Sequence, residues 1–97
     1  VCFFGHTHVP VAFIRDTVVR GGTYSKFKVD AGRKYFVNVG SVGQSRDGVA
    51  KATYVVYDMI ENTIELRRLD YDIPKAQAKI RAAGLPERLA DRLAHGK

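Results

Sequence analysis

Residues 1–10 decide the fold of this chain, and they read VCFFGHTHVP. The apolar run over residues 1–4 predicts a buried strand, and Gly5 lets the backbone turn sharply where that strand ends. His6 and His8 follow at positions i and i+2, which places both imidazoles on one side if the backbone stays extended. Neutral imidazole is a common ligand for zinc, manganese, iron and nickel, so this stretch predicts part of a metal site.

Two histidines supply only part of such a site, because a closed metal site usually needs four or more ligands. The alternative interpretation is a pair of surface histidines in a loop, with no ligand role. The metal site is favoured by the order of a strand, a glycine, two histidines and Pro10, which cannot continue a strand ladder. His95 is the only other histidine, and it lies in a segment that is typical of a helix end.

Three stretches, in this order, resemble the calcineurin-like metallophosphoesterases, specifically their small prokaryotic phosphodiesterase and phosphatase members. They are GHTHVP at residues 5–10, VNVGSVGQSRDG at residues 37–48 and ATYVVYD at residues 52–58. Weaker similarities follow at residues 69–72 and 84–86. The resemblance covers almost the whole chain, but only the C-terminal half of the family's domain.

The resemblance implies an α+β fold that forms the C-terminal part of a four-layer α/β/β/α sandwich. It also implies two divalent metal ions of the Mn, Zn, Fe, Ni or Mg class in the complete domain, with partial or no occupancy in this chain. His6 and His8 are each similar to a ligand of one of the two ions. The chemistry implied is two-metal hydrolysis of a phosphodiester or phosphomonoester. The family's catalytic histidine belongs to a Gly-Asn-His motif. Neither that motif nor the family's Asp-x-His and Gly-Asp motifs occurs in this chain.

The start of the chain suggests that the site is incomplete. Because Val1 opens directly into an expected central strand, we expect truncation, proteolysis or a split gene, and an isolated chain without activity. Residues 1–97 then form a single domain or half-domain. The alternative function is a catalytically inactive module that forms a homo-oligomer, or docks on a missing N-terminal half, through an uncovered sheet.

A glycine-rich loop at residues 38–48 is the second candidate site. Its glycines let the backbone bend towards a ligand, with N–H groups free to face an anion. We therefore predict phosphate contacts from Asn38, Gly40, Ser41 and Arg46. The alternative is a glycine-rich turn between two strands, with no ligand role.

Residue patterns predict five or six mostly antiparallel strands followed by two helices. After residues 1–4, the strands are expected at 11–16, extended by residues 18 and 19 to a tight turn at Gly21-Gly22, and then at 24–29, 34–39, 52–59 and 63–69. The first helix is expected over 74–83, capped by Asp72 or Ile73. The second is expected from Pro86 to Gly96, and both should pack on the sheet.

The net charge of +6 favours anionic partners, phosphate esters among them. Basic pairs such as Arg67-Arg68 are scattered and interpreted as solvated faces, so nucleic-acid binding is not expected. No apolar run approaches the roughly 18 residues that span a bilayer, so we expect a cytoplasmic chain with no membrane role. Cys2 lies in an apolar strand, which predicts a buried thiol without a catalytic role.

Overall fold

The computed structural model describes all 97 residues and contains seven strands followed by two helices. In chain order the strands are β1 (Cys2–Phe4), β2 (Ala12–Arg15), β3 (Val19–Gly22), β4 (Lys26–Lys28), β5 (Lys34–Asn38), β6 (Ala52–Asp58) and β7 (Thr63–Leu69). One sheet has the order β1-β5-β2-β3 and the other β4-β7-β6. Only the β1–β5 pair is parallel. The predicted class is confirmed, although the number of strands is seven instead of five or six.

The additional strand arises because the predicted turn at Gly21-Gly22 is wrong. These glycines lie inside β3, where Gly21 pairs with Phe13 of β2. The chain reverses earlier, where the Asp16 carboxylate accepts hydrogen bonds from the N–H groups of Thr17 and Val18 at 2.6 and 3.2 Å. A short acidic side chain that bonds to the following backbone offers an alternative to glycine for making a turn.

The hydrophobic core lies between the two sheets and is small. Tyr35 and Val37 of β5 are buried against Ile64 of β7, together with Ala12. Strand alternation points Tyr35 and Val37 inward and Phe36 outward. Burying a side chain the size of Val37 or Ile64 stabilises the fold by about 1.5–3 kcal/mol each.

The opposite face of the four-stranded sheet is uncovered. Phe13 and Phe36 are in register on adjacent strands and are 40% and 46% exposed. Cys2 pairs with Phe36 and is exposed as well, so the predicted buried thiol is wrong. The reason is that β1 is an edge strand whose outer side carries no further layer.

The helices are α1 (Ile73–Ala82) and α2 (Glu87–Asp91), and a 3₁₀ turn (Arg92–His95) continues α2. The expected cap is confirmed, since the Asp72 carboxylate accepts a hydrogen bond from the Lys75 N–H at 3.0 Å. Gly96 ends the last turn with a φ of 65°, where a side chain would be strained.

The predicted packing of the helices on a sheet is wrong. The helices pack on one another, α1 has no buried residue, and the molecule is elongated, with extents of 49 × 26 × 18 Å. The helices connect to the sandwich through the glycine-rich loop instead. The Gly96 carbonyl accepts a hydrogen bond from the Gly48 N–H at 2.9 Å. The hydroxyl of Tyr71, just before α1, donates to the Gly43 carbonyl at 2.6 Å. Neither helix has the length and apolar character that crossing a membrane requires.

Candidate functional site

The two histidines after β1 lie in a loop with unusual backbone angles. His6 and His8 have φ values of 73° and 61°, in the left-handed region that residues with a side chain rarely adopt. The Thr7 N–H donates to the Gly5 carbonyl at 2.9 Å, which forms a tight γ-turn with His6 at its centre. Such conformations cost about 1–3 kcal/mol each and persist only where surrounding contacts hold them.

From the sequence, the two imidazoles were expected on one side because they lie two residues apart on extended backbone. That reason is wrong, because the backbone is not extended after Phe4. His6 and His8 nevertheless both line one cleft of about 500 Å³, which is formed by β1, the start of the glycine-rich loop and the length of β6. His6 is exposed at this cleft and His8 is half-buried. The loop brings the two imidazoles to one site through two left-handed residues, which no sequence pattern indicated.

The His8 ring is held by the glycine-rich loop. The Nδ1 atom of His8 lies 2.7 Å from the carbonyl oxygen of Gln44. The backbone carbonyl of His8 accepts a hydrogen bond from the Arg46 N–H at 3.2 Å. Because a carbonyl only accepts, Nδ1 carries the proton and the Nε2 lone pair is left for a ligand. Metal-bound histidines in proteins are commonly oriented by this kind of second hydrogen bond.

The donor set fits part of a divalent metal site. Two neutral imidazoles suit zinc, manganese, iron or nickel, and the fixed tautomer of His8 presents the nitrogen that a metal would use. No group of three or more His, Cys, Asp or Glu side chains converges anywhere in the chain. These residues alone therefore form an incomplete coordination sphere, and the assignment of His6 and His8 as metal ligands stays a prediction.

The glycine-rich loop engages many of its own donors. The Ser41 hydroxyl accepts the N–H groups of Gly43 and Gln44 at 3.2 and 3.1 Å, and the Ser41 N–H donates to the Thr53 hydroxyl at 2.8 Å. The Gly40 N–H donates to the Asn38 side chain at 2.9 Å. These backbone N–H groups, which were expected to be free to face an anion, therefore donate to side chains of the protein instead.

Among the four residues predicted to contact phosphate, Arg46 is exposed and Ser41 lines the cleft. Gly40 is buried with a φ of 78°, and a Cβ there would overlap the Thr53 hydroxyl. Asn38 is fully buried and bonds only to protein groups. Phosphate contacts from these residues stay a prediction, and for Asn38 the contacts favour a role in holding the loop.

An ion pair joins the far end of the loop to β7. The Arg68 guanidinium donates to the Asp47 carboxylate at 2.6 Å, and the Ser45 hydroxyl donates to the same carboxylate at 2.6 Å. Burial alone would raise the pKa of Asp47, but the hydrogen bonds from Ser45 and Arg68 outweigh it and hold the pKa below its usual value. The interpretation of Arg67-Arg68 as a solvated face is therefore wrong for Arg68, which is only 30% exposed.

A tyrosine supports the end of β5 from the opposite side. The Tyr24 hydroxyl donates to the Asn38 carbonyl at 2.8 Å, and burial raises the pKa of Tyr24 to about 12. Sequence reasoning missed Tyr24, Thr53 and Arg68 as supports of the loop. Their alternation within β-prone segments indicated a strand, but not which loop each side chain would reach.

Comparisons with known proteins bear on this site. A scan against protein families finds no match. The chain is 41% identical over 97 residues to an uncharacterized protein of Methanocaldococcus jannaschii, covering 98% of this chain and 39% of that protein. It also matches the crystal structure of a metallophosphoesterase from Sphaerobacter thermophilus, with a TM-score of 0.81 and 36% identity, over 99% of this chain and 42% of the other. The chain thus spans about two fifths of the length of these relatives.

Proposed function

We propose that this chain, whose fold is that of part of a metallophosphoesterase, supplies two metal ligands, His6 and His8, to a centre that hydrolyses phosphate esters. The observation that carries the proposal is the strained loop after β1. Two left-handed histidines line one cleft, and the tautomer of one is fixed by the Gln44 carbonyl. Strained residues of this kind concentrate at functional sites and persist where surrounding contacts hold them.

The group that such a centre would hold is a pair of divalent ions. When bound, the ions polarise the phosphoryl oxygens and stabilise the charge of an in-line displacement of the leaving group. In this proposal the imidazoles of His6 and His8 bind through nitrogen and transfer no proton. Imidazole donors favour Zn, Mn, Fe or Ni over Mg, which prefers oxygen ligands. The remaining ligands, carboxylates among them, would come from polypeptide other than these residues.

The surroundings of the histidines suit an anionic substrate. The chain carries a formal net charge of +6, and the exposed Arg46 lies next to His8, because its N–H donates to the His8 carbonyl. A positive field raises the local concentration of phosphate esters and speeds their encounter with the site. Either a phosphodiester or a phosphomonoester meets this requirement.

A chimaera tests the proposal in a complete domain. The region of the Sphaerobacter metallophosphoesterase that matches this chain is replaced by residues 1–97, and hydrolysis of bis(p-nitrophenyl) phosphate and p-nitrophenyl phosphate is measured with Mn²⁺. We expect activity that falls by more than about 100-fold on H6A or H8A, because even residues that only orient a metal ligand cost 10–100-fold. H95A is the matched control, since His95 is exposed on the 3₁₀ turn.

A folded, metal-loaded chimaera whose activity is independent of His6 and His8 would contradict the proposal. Circular dichroism separates this result from failure to fold. Equal losses for all three histidine variants would also count against it, because His95 lies outside the cleft.

A second candidate function rests on the uncovered sheet. The outer face of the first sheet exposes Phe13, Phe36 and Val19, and both β1 and β6 are edge strands. Exposed apolar surface and unpaired strand edges favour association. We propose on this basis a non-catalytic module that forms a homo-oligomer or docks on a partner polypeptide. Sedimentation showing a stable monomer at high concentration would contradict self-association.

A further inference from the structure

We propose that Asn38 is a positioning residue for His6, acting by clamping both ends of the γ-turn that carries it. The inference rests on the proposed ligand role of the histidines, but the clamp itself is a property of this chain. It reassigns Asn38 from a phosphate contact to a residue that sets the direction of a metal ligand.

The Asn38 side chain bonds to each residue that flanks His6. Its Nδ2 atom donates to the Gly5 carbonyl at 3.0 Å and to the Thr7 hydroxyl at 2.8 Å. The same Gly5 carbonyl accepts the Thr7 N–H that closes the γ-turn. One amide group therefore ties the two ends of the turn to the end of β5 and leaves only the His6 side chain free at its apex.

The orientation of the amide is fixed by its neighbours. The Gly5 carbonyl can only accept, so Nδ2 must face it, and the Gly40 N–H can only donate, so Oδ1 must accept it. The contacts require a short side chain with two N–H donors and one accepting oxygen. Asparagine supplies both, whereas an aspartate carboxylate has no donor.

The clamp has a rigid base. Asn38 is fully buried, its N–H donates to the Val11 carbonyl at 2.8 Å, and its carbonyl accepts the Tyr24 hydroxyl at 2.8 Å. Its backbone pairs with β1 through the register of Phe4 with Asn38. Because every polar atom of Asn38 has a protein partner, the side chain is not available to an incoming phosphate in this arrangement.

The clamp is tested with the Thr7 hydroxyl, which is the exposed half of the contact. Co²⁺ is titrated into the chain and followed by visible absorption, while the backbone chemical shifts of His6 report its left-handed φ. We expect T7V to weaken Co²⁺ binding about 10-fold and T7S to retain it within about twofold, since residues that orient metal ligands contribute 10–100-fold. T17V is the matched control, because that hydroxyl bonds only to Asp16 at a distant turn.

A stronger variant, N38D, keeps the Gly40 contact and loses both donors. We expect it to shift the His6 backbone signals and to weaken Co²⁺ binding more than T7V does, with circular dichroism verifying the fold. Unchanged His6 shifts in both N38D and T7V would overturn the clamp, whatever the metal affinity. If the unsubstituted chain binds no Co²⁺, the ligand role fails in the isolated chain, and the backbone shifts still decide the clamp. The clamp would also be overturned if T17V weakened Co²⁺ binding as much as T7V does.

Discussion

The Nδ1 atom of His8 lies 2.7 Å from the carbonyl oxygen of Gln44, so the loop after β5 fixes a histidine in the loop after β1. This contact joins two segments 36 residues apart in the chain. It gives the ring of His8 a defined tautomer, with the proton on Nδ1 and the lone pair of Nε2 left for a ligand.

The tautomer is directly measurable. Two-bond ¹H–¹⁵N correlation spectra of the chain at pH 8 should show neutral His8 protonated on Nδ1. Exposed His95 is the internal control and should show a mixture of tautomers. A His8 ring protonated on Nε2 would mean that the Gln44 contact does not form in solution.

Gly40 is the glycine on which the loop most depends. A Cβ there would overlap the Thr53 hydroxyl, and the φ of 78° disfavours any side chain. We expect G40A to lower the free energy of unfolding by about 2–4 kcal/mol, measured by urea denaturation. G43A is the matched control in the same loop, because nothing lies within 4 Å of its Cβ, and its effect should stay below about 1 kcal/mol. Equal effects of the two substitutions would contradict the structure around Thr53.

The sequence predicted the mostly antiparallel strands and the residues at which the two helices start. These features depend on local patterns, namely alternation in β6 and β7 and the capping side chain of Asp72. The left-handed backbone of His6 and His8 was not predictable, because it depends on contacts from Asn38 and the Gln44 carbonyl.

The placement of the helices was also not predictable. An apolar stripe on a helix indicates that some surface covers it, but not which one. In the structure α1 and α2 cover each other, as the hydrogen bond from Gln77 to the Ala90 carbonyl at 3.0 Å shows. An uncovered sheet face was expected from the sequence, but the pattern of apolar residues did not indicate that Phe13 and Phe36 would lie on it.

The ion pair of Asp47 with Arg68 should make stability depend on acid pH. Because the pKa of Asp47 is lower in the folded chain than its ordinary value of about 3.9, the stabilisation is fully present above pH 4 and is lost as pH falls through the folded pKa. We expect D47N to cost about 1–3 kcal/mol at pH 7 and progressively less below pH 4, measured by urea denaturation across pH.

An exposed ion pair serves as the control for Asp47. Asp70 lies 3.7 Å from the Lys51 ammonium and its side chain is 90% exposed. D70N should change stability by less than about 0.5 kcal/mol at either pH, since exposed pairs contribute little. A D47N effect that does not change between pH 7 and pH 3 would show that the carboxylate charge is not responsible.

Tyr24 should ionise late, and its contribution to the stability of the fold should be lost in alkaline solution. Its pKa of about 12 lies above the ordinary value of about 10, so its contribution is full below pH 10 and is lost as pH rises through 12. Ultraviolet titration at 295 nm should show one tyrosine ionising after the others, and that step should vanish in Y24F. We also expect Y24F to cost about 1 kcal/mol at pH 7 through loss of the bond to Asn38.

A Zn²⁺ titration of the chain with ¹⁵N-labelled histidine tests whether His6 and His8 belong to one metal centre. We expect the ring ¹⁵N signals of His6 and His8 to shift together at the same Zn²⁺ concentration, while those of His95 do not move. We also expect H6A to weaken the response of His8, because both imidazoles line one cleft. Independent responses of His6 and His8, or responses no larger than that of His95, would contradict a shared metal centre.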